Sequence, residues 1–314
     1  MSKLGVNDTT TNLSVLIWRV QTEHIFDAQL VVETLVVSFY VAVLYILLSS
    51  SNQLFRSAFY TLFIINGFFD ISLAAATVFL RIARKIGLCS DWEVVIRIAA
   101  ALTGTNFVVH ICINIMITIN RLTAVLVPLD HKRLWKAEKY LPVCICLIVI
   151  SFLAYITVFT RPRKIIISGD FCSCKGDYDE FSLIVSLVAV TIFECDCLLI
   201  SPLTIYRFSV VKRNNGIAGD KTEASLAFFA AIKGVAFSFE FLFELARFVD
   251  MEVIMGTWLL TFVDNQFYAY FFLLMVLNAP TLIFLSAPLR HEIFRKFGLM
   301  NPPSVVPIQS ITPA

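Results

Sequence analysis

The stretch that decides the fold runs from Glu93 to Leu129 and reads EVVIRIAAALTGTNFVVHICINIMITINRLTAVLVPL. Its apolar part, 93–119, is long enough to cross the hydrocarbon of a membrane as a helix, which takes about 20 residues. Arg121 carries a permanent charge and Pro128 cannot continue a helix, so both mark the end of that crossing. The stretch therefore predicts a transmembrane helix with a cation at one membrane surface.

The rest of the chain has the composition of an integral membrane protein. Of its 314 residues 58% are hydrophobic, 29 are Phe, and the mean hydropathy is +0.81. Strands are disfavoured because an isolated lipid-facing segment must satisfy its own backbone hydrogen bonds and no alternating pattern is present. We therefore predict an all-α fold, a bundle of seven transmembrane helices. The predicted spans are 28–49, 57–83, 93–119, 137–160, 181–207, 224–249 and 258–286.

The bundle, 28–288, takes up most of the chain and leaves three short flanking segments. Residues 1–27 form a polar tail, and the proline-rich residues 301–314 are predicted to be a disordered cytoplasmic tail. Between them, 289–300 is predicted to be an amphipathic helix on the inner leaflet, with a short solvated tail as the alternative. Its apolar face holds Leu289, Ile293, Phe294, Phe297 and Met300, and its basic face holds Arg290, His291, Arg295 and Lys296.

Two features predict that the N-terminus lies outside the cell. The Asn-x-Ser/Thr sequons, at Asn7 and Asn12, both lie in the N-terminal tail, where luminal exposure permits glycosylation. With that orientation the inner loops also carry a small excess of Lys and Arg. The predicted protein is a multi-pass plasma-membrane protein with an extracellular N-terminus.

Charged residues inside the spans predict a polar interior. A charge at the bilayer centre costs roughly 2.5 to 3.5 kcal/mol on insertion, so such groups face the inside of a bundle. At 100° per residue, four helices each carry one polar stripe. Glu194 and Asp196 lie about 200° apart, so at most one of them is expected to share that interior, and the other needs a neighbouring helix or a partner chain. The stripes are Asn66, Asp70, Thr77 and Arg81; Asn106, His110, Asn114 and Arg121; Lys233, Phe237, Glu240, Glu244 and Arg247; and Asp264, Tyr268, Phe271 and Asn278.

These stripes have two interpretations. The deep residues Asp70, Asn114 and Asn278 are more typical of hydrogen bonds that hold helices together. The outer residues favour a solvent-connected cavity for a cationic or hydrogen-bonding ligand. The predicted ligand contacts are Asn106, His110, Glu240, Glu244, Asp264 and Tyr268.

The eight cysteines divide by compartment. Cys89, Cys172 and Cys174 lie in outer loops on the oxidising side, which predicts a disulfide from Cys89 to one of the other two. Among the five cysteines within spans, the i, i+2 pairs face apart, so they support no metal or redox site. Most of the five are expected to be buried apolar residues. The four scattered His form no catalytic or metal motif, so no enzyme, cofactor or nucleic-acid binding is predicted.

NRLTAVLVPL resembles the G-protein-coupled receptor superfamily, whose third helix ends in acid-Arg-aromatic, then Ala/Val and Pro-Leu. Asn120 and Leu122 depart from that pattern, and Asn278-Ala-Pro280 resembles the Asn-Pro segment of the seventh helix with an inserted Ala. The resemblance implies that Asp70, Asn278 and Pro280 act as a bundle switch. It also implies G-protein coupling through Asn120, Arg121, Pro128, Lys132 and Arg133.

Within that superfamily the chain is most similar to the nematode serpentine chemoreceptors of the class-gamma-like group, with class V as a candidate subfamily. The resemblance implies a receptor in sensory neuron cilia that detects a small molecule or peptide and activates a heterotrimeric G protein, and it leaves pairing with itself or another chain open. The alternative is a ligand-gated channel or transporter that uses the same polar axis.

Overall fold

The computed structural model describes residues 28–85, 92–160, 164–168, 171–175, 180–200, 202–207, 210, 238, 241–242, 244–245, 278–283 and 286–298. The predicted sixth and seventh spans therefore fall mostly outside the described residues. So do both tails, with Asn7 and Asn12, and Cys89.

The described part of the chain is dominated by helices. They are α1 (Ala28–Ser49), α2 (Ala58–Lys85), α3 (Glu93–Leu126), α4 (Pro128–Leu134), α5 (Ala137–Ala154), α6 (Ile156–Thr160), α7 (Glu180–Cys195) and α8 (Ala287–Lys296). Five stretches in this part are long and apolar enough to cross a membrane: Leu30–Ser49, Ala58–Ala83, Glu93–Leu126, Ala137–Ala154 and Phe181–Arg207. The prediction of a membrane-spanning helical bundle is confirmed.

The helix α3 lies at the centre of this bundle. It packs against α2, α5, α6 and α7, and side chains such as Phe107 and Ile111 are fully enclosed. By contrast α1 and α5 turn apolar side chains such as Leu35 and Ile150 outward, as expected for helices that face lipid. The polar stripe of α3 is therefore held in the interior of the protein.

The third and fourth predicted spans differ from the helices that the structure shows. The helix α3 continues to Leu126, two turns beyond the apolar run, because a transmembrane helix can extend past the hydrocarbon until a residue such as Pro128 limits it. The predicted span 137–160 is broken at Tyr155, which lies between α5 and α6.

The helix predicted at 289–300 is found as α8, at Ala287–Lys296. Ser286 accepts a hydrogen bond from the amide of Leu289 at its start, a typical N-cap. Leu289 is fully buried and Ile293 packs on the core, whereas Phe294 and Phe297 are exposed. Part of the predicted apolar face thus packs against the bundle, and the other part is exposed.

An antiparallel hairpin, which the sequence analysis did not predict, precedes α7. It pairs β1 (Lys164–Ser168) with β2 (Phe171–Lys175), and Ile167 faces Cys172 in the register. The pattern was present as three successive Ile followed by Gly169-Asp170, a two-residue turn sequence. The disulfide prediction stays untested because Cys89 lies outside the described residues.

The spacing of Glu194 and Asp196 predicts that at most one of them shares the common interior, while the other needs a neighbouring helix or a partner chain. Both are buried, at 8% and 4% exposure. Glu194 accepts a hydrogen bond from Ser238, and Asp196 begins a π-helical turn, Asp196–Ile200, that packs against α3. The fifth span therefore holds two buried carboxylates, and which of them shares the common interior stays a prediction.

The expectation that the cysteines within the spans are mostly buried is wrong. Cys144 and Cys197 are buried, but Cys146 and Cys195 are exposed, and Cys112 is half-buried. Each exposed cysteine lies two residues from a buried one. Two residues turn a helix by about 200°, so one member of each pair points outward.

Candidate functional site

A buried cluster of polar side chains joins four helical segments around Asp70. We call it the polar centre, and it consists of Tyr40, Asn66, Asp70, His110 and Asn278. Oδ2 of Asp70 accepts hydrogen bonds from the hydroxyl of Tyr40 at 2.6 Å, from Nδ2 of Asn66 at 2.9 Å and from Nδ2 of Asn278 at 2.9 Å. One carboxylate oxygen thereby connects α1, α2 and the helical stretch 278–283.

The second oxygen of Asp70 connects the same centre to α3. Oδ1 lies 2.5 Å from Nδ1 of His110, and both side chains are almost completely buried. This contact ties α2 to α3 through the two side chains. All groups of the polar centre are 3% exposed or less, so these hydrogen bonds replace solvent that the groups have lost.

Two further asparagines of α3 support this arrangement. Nδ2 of Asn106 donates to Oγ of Ser72 on α2 at 2.9 Å. Nδ2 of Asn114 donates to the carbonyl of His110 at 2.7 Å, which fixes it within its own helix. The polar stripe of α3 is therefore engaged with α2 and with its own backbone.

Near the C-terminal end of α2, a buried ion pair joins α2 to α1. Arg81 donates to Glu33, and both side chains are at most 10% exposed. Burial makes each charge costly unless it is paired. Two charges that lie within predicted spans, 28–49 and 57–83, thus neutralise each other.

Arg121 lies half-buried where α3 approaches α2 again. Its guanidinium carbon is 3.7 Å from the centroid of the Phe59 ring, a cation-π geometry. The neighbouring Tyr60 shares a hydrogen bond of 2.7 Å with the hydroxyl of Ser286, just before α8. We call Phe59, Tyr60, Arg121 and Ser286, together with α4, the Arg121 end of the bundle.

The short helix α4 projects from this end. Pro128, Lys132 and Arg133 are exposed, and Leu129 is 96% exposed, the highest value among the large apolar side chains that the structure describes. Nε1 of Trp135 donates to Oγ1 of Thr123 at 2.8 Å and so fastens the end of α4 to α3. The helix therefore offers an apolar tip beside two cations from a fixed base.

His131 of α4 points back toward the bundle. Burial, followed by the positive charge of Arg121, lowers the pKa of His131. A lowered pKa keeps the imidazole neutral near pH 7. The cations that α4 exposes at that pH are therefore Lys132 and Arg133.

The Arg121 end is also fastened to α1 through α8. The hydroxyl of Ser50 donates to Oε1 of Glu292 at 2.9 Å, and Arg295 donates to the same oxygen at 2.5 Å. Glu292 is 6% exposed. The helix α8 is thus tied to the end of α1 and, through Ser286, to the start of α2.

The structure brings together some predicted site residues and not others. Asp70, Asn278 and His110 meet, and Pro280 is half-buried two residues beyond Asn278. Asn120 is 3% exposed, so its side chain lies inside the bundle rather than beside Lys132 and Arg133. Roles in switching and coupling remain predictions.

Among the predicted ligand contacts, Asn106, His110 and Glu244 are described and all three are buried. Glu240, Asp264 and Tyr268 lie outside the described residues. The part of the chain that the structure describes contains no group of three His, Cys, Asp or Glu side chains arranged to hold a metal ion. Ligand binding by these residues stays a prediction.

Sequence reasoning missed the aromatic partners of both clusters. Tyr40 could have been found, because a Tyr inside a long apolar helix needs a partner for its hydroxyl. Phe59 had no such pattern, since a Phe at the start of an apolar span is ordinary. Ser286 and Glu292 were missed because their partners, Tyr60 and Ser50, are more than 200 residues away.

Comparison with known proteins supplies the family. A protein-family model described as Srg family chemoreceptor matches residues 28–293, which is most of the chain and includes both clusters. A comparison with curated proteins found no match. The predicted resemblance to serpentine chemoreceptors is confirmed at this level, and the class V subfamily remains a prediction.

Proposed function

The chain belongs to the Srg family of chemoreceptors, and from that premise we propose that it is a G-protein-coupled chemosensory receptor. It binds an extracellular small molecule or peptide and activates a heterotrimeric G protein. The family is one of receptors rather than enzymes, and the apolar helices make the chain a multi-pass membrane protein.

The proposal includes an orientation. The N-terminus is extracellular, the Arg121 end lies in the cytoplasm, and the receptor resides in the plasma membrane of sensory cilia. The observation that carries the coupling role is the combination at this end of half-buried Arg121 with exposed Leu129, Lys132 and Arg133. Protein interfaces typically combine an apolar contact with charges that complement those of the partner, which is what this combination can supply.

The polar centre supports the same proposal. A receptor converts ligand binding into a shift between bundle conformations, which requires helices that are coupled to one another. Asp70 couples α1, α2, α3 and the stretch 278–283 through hydrogen bonds of 2.5 to 2.9 Å. Ligand-driven movement of any one of these segments must break these hydrogen bonds or move the other segments with it.

Arg121→Ala tests the coupling role. A screen of odorants and peptides against cells that express the receptor and a panel of G proteins first supplies an agonist. We then expect Arg121→Ala to lower agonist-evoked G-protein activation at least about tenfold at equal surface expression, because a charge-assisted contact of about 1.5 to 3 kcal/mol is lost. Arg121→Lys keeps the charge and is expected to retain part of the response.

Membrane current is recorded in the same cells as the control. Unchanged G-protein activation in Arg121→Ala contradicts the assignment of Arg121. An agonist-evoked current that persists when G proteins are blocked favours the rival function, a ligand-gated channel.

Leu129→Ala tests the exposed tip of α4. A fully exposed Leu contributes nothing to the fold, but its burial against a partner contributes about 1.5 to 2 kcal/mol. We therefore expect about a tenfold weaker response in the G-protein assay, without loss of thermal stability. Leu134→Ala, at the other end of the same helix and 46% exposed, is the matched control and should change the response less than twofold. Equal effects of the two variants contradict a specific role for Leu129.

A further inference from the structure

We propose that the ring of Phe59 is the resting dock of Arg121, which keeps the guanidinium on α2 until the bundle opens toward a G protein. The inference rests on the proposed function and adds a positioning residue to it. Its basis is the distance of 3.7 Å between the guanidinium carbon of Arg121 and the centroid of the Phe59 ring.

The surroundings of this contact strengthen it. A cation over an aromatic face is favoured more when water is excluded, and Phe59 is 9% exposed while Arg121 is half-buried. The residues that flank Arg121 in sequence, Asn120 and Leu122, are neutral. Position 120 therefore lacks the acid that precedes this arginine in the receptor superfamily.

The ring is itself fixed to the joint between the stretch 278–283 and α8. Phe59 and Tyr60 pack edge to face at 5.0 Å, and Tyr60 bonds Ser286, whose hydroxyl also accepts from the amide of Leu289. Phe55 holds the other side of Tyr60, again at 5.0 Å. Movement of the segment around Ser286 is therefore transmitted through Tyr60 to the dock beneath Arg121.

This arrangement gives the ring a restraining effect on signalling. While the guanidinium lies on Phe59, it is held toward α2 and away from a partner that approaches α4. Removal of the aromatic face destabilises the resting state relative to the state in which Arg121 is available to the G protein. Ligand-free activity then rises by the same factor as the population of that state.

The test requires no agonist. Receptor variants are placed in lipid vesicles with a panel of purified heterotrimeric G proteins that differ in their α subunits, and the ligand-free exchange of GTPγS is measured. We expect Phe59→Leu to raise exchange about fivefold, which corresponds to about 1 kcal/mol. Phe59→Tyr keeps the aromatic face and is expected to show wild-type exchange.

Phe69→Leu is the matched control. It makes the same ring-to-branched change on α2, at a half-buried Phe that packs against the hydrophobic cluster containing Leu62 and Val109. It should leave ligand-free exchange within about twofold of wild type, below the fivefold rise expected from the loss of one cation-π contact. Wild-type exchange in Phe59→Leu, or an equal rise in Phe69→Leu, overturns the dock.

A double-mutant cycle of thermal midpoints tests the contact without any G protein. Phe59→Leu is compared in the Arg121 and Arg121→Gln backgrounds, and the loss of thermal midpoint should be smaller in the second, because the cation is already absent. Equal losses overturn the contact. If neither wild type nor any variant stimulates exchange above receptor-free vesicles, the proposed function fails together with the dock, while the cycle still reports whether Arg121 and Phe59 interact.

Discussion

Asp70→Ala is expected to lower the thermal midpoint of the detergent-purified protein by about 6 to 12 °C. The substitution removes the acceptor for Tyr40, Asn66, Asn278 and His110 at once. Interhelical hydrogen bonds in membrane proteins contribute on average about 0.6 kcal/mol each, and buried donors left without acceptors cost more, so about 3 kcal/mol is lost. At about 2 to 4 °C per kcal/mol this gives the stated range.

The measurement is the fraction of protein that remains monodisperse in size-exclusion chromatography after heating in steps. Asp70→Asn keeps the shape and one carbonyl acceptor, so it should fall between Asp70→Ala and wild type. The matched control is Ser72→Ala on the same helix, which removes the acceptor of a single bond from Asn106 and should cost about 1 to 2 °C. A loss in Asp70→Ala no larger than that of Ser72→Ala would show that the polar centre does not stabilise the bundle.

Gly104→Ala is expected to lower the same midpoint by about 4 to 8 °C, although Ala is the better helix former. A Cβ at position 104 would lie 2.1 Å from Cε1 and 2.6 Å from Cζ of Tyr155. That ring is 7% exposed and its hydroxyl shares a 2.8 Å hydrogen bond with Ser186. It cannot move without breaking this bond, so the overpacking costs about 2 kcal/mol.

Two variants separate this clash from a general effect of Ala in a transmembrane helix. At Gly67 an added Cβ would meet the terminal methyls of Leu44, at 2.7 and 2.9 Å. Those methyls can rotate away, so Gly67→Ala should cost clearly less. In a Tyr155→Leu background the ring is gone, and Gly104→Ala should then be neutral. A Gly104→Ala cost that persists in that background refutes the steric explanation.

The bounds of the helices followed from the sequence because bilayer thickness fixes the length of an apolar run. The prediction 28–49 coincides with α1, and 57–83 differs from α2 by one or two residues at each end. It was also predictable that the polar stripes of α2 and α3 meet inside the bundle, because the helical period alone places Asp70 and His110 on inward-facing sides of their helices. Which atoms meet was not, since crossing angles and axial offsets depend on side-chain packing between helices.

Two local features of the backbone were not predicted. One is the π-helical turn at Asp196–Ile200, which the apolar pattern does not reveal. The hairpin at β1 and β2 was passed over because three Ile are too few to establish a strand by periodicity. In both places the local backbone geometry could not be read from composition.

The Glu33–Arg81 ion pair also has a consequence for biogenesis. Arg81 in hydrocarbon without a counter-charge costs up to about 2.5 to 3.5 kcal/mol at the bilayer centre, and Glu33 enters with α1 before α2 has been synthesised. The two helices share this pair, so the first favourable product at the translocon is the hairpin of α1 and α2 rather than α1 alone.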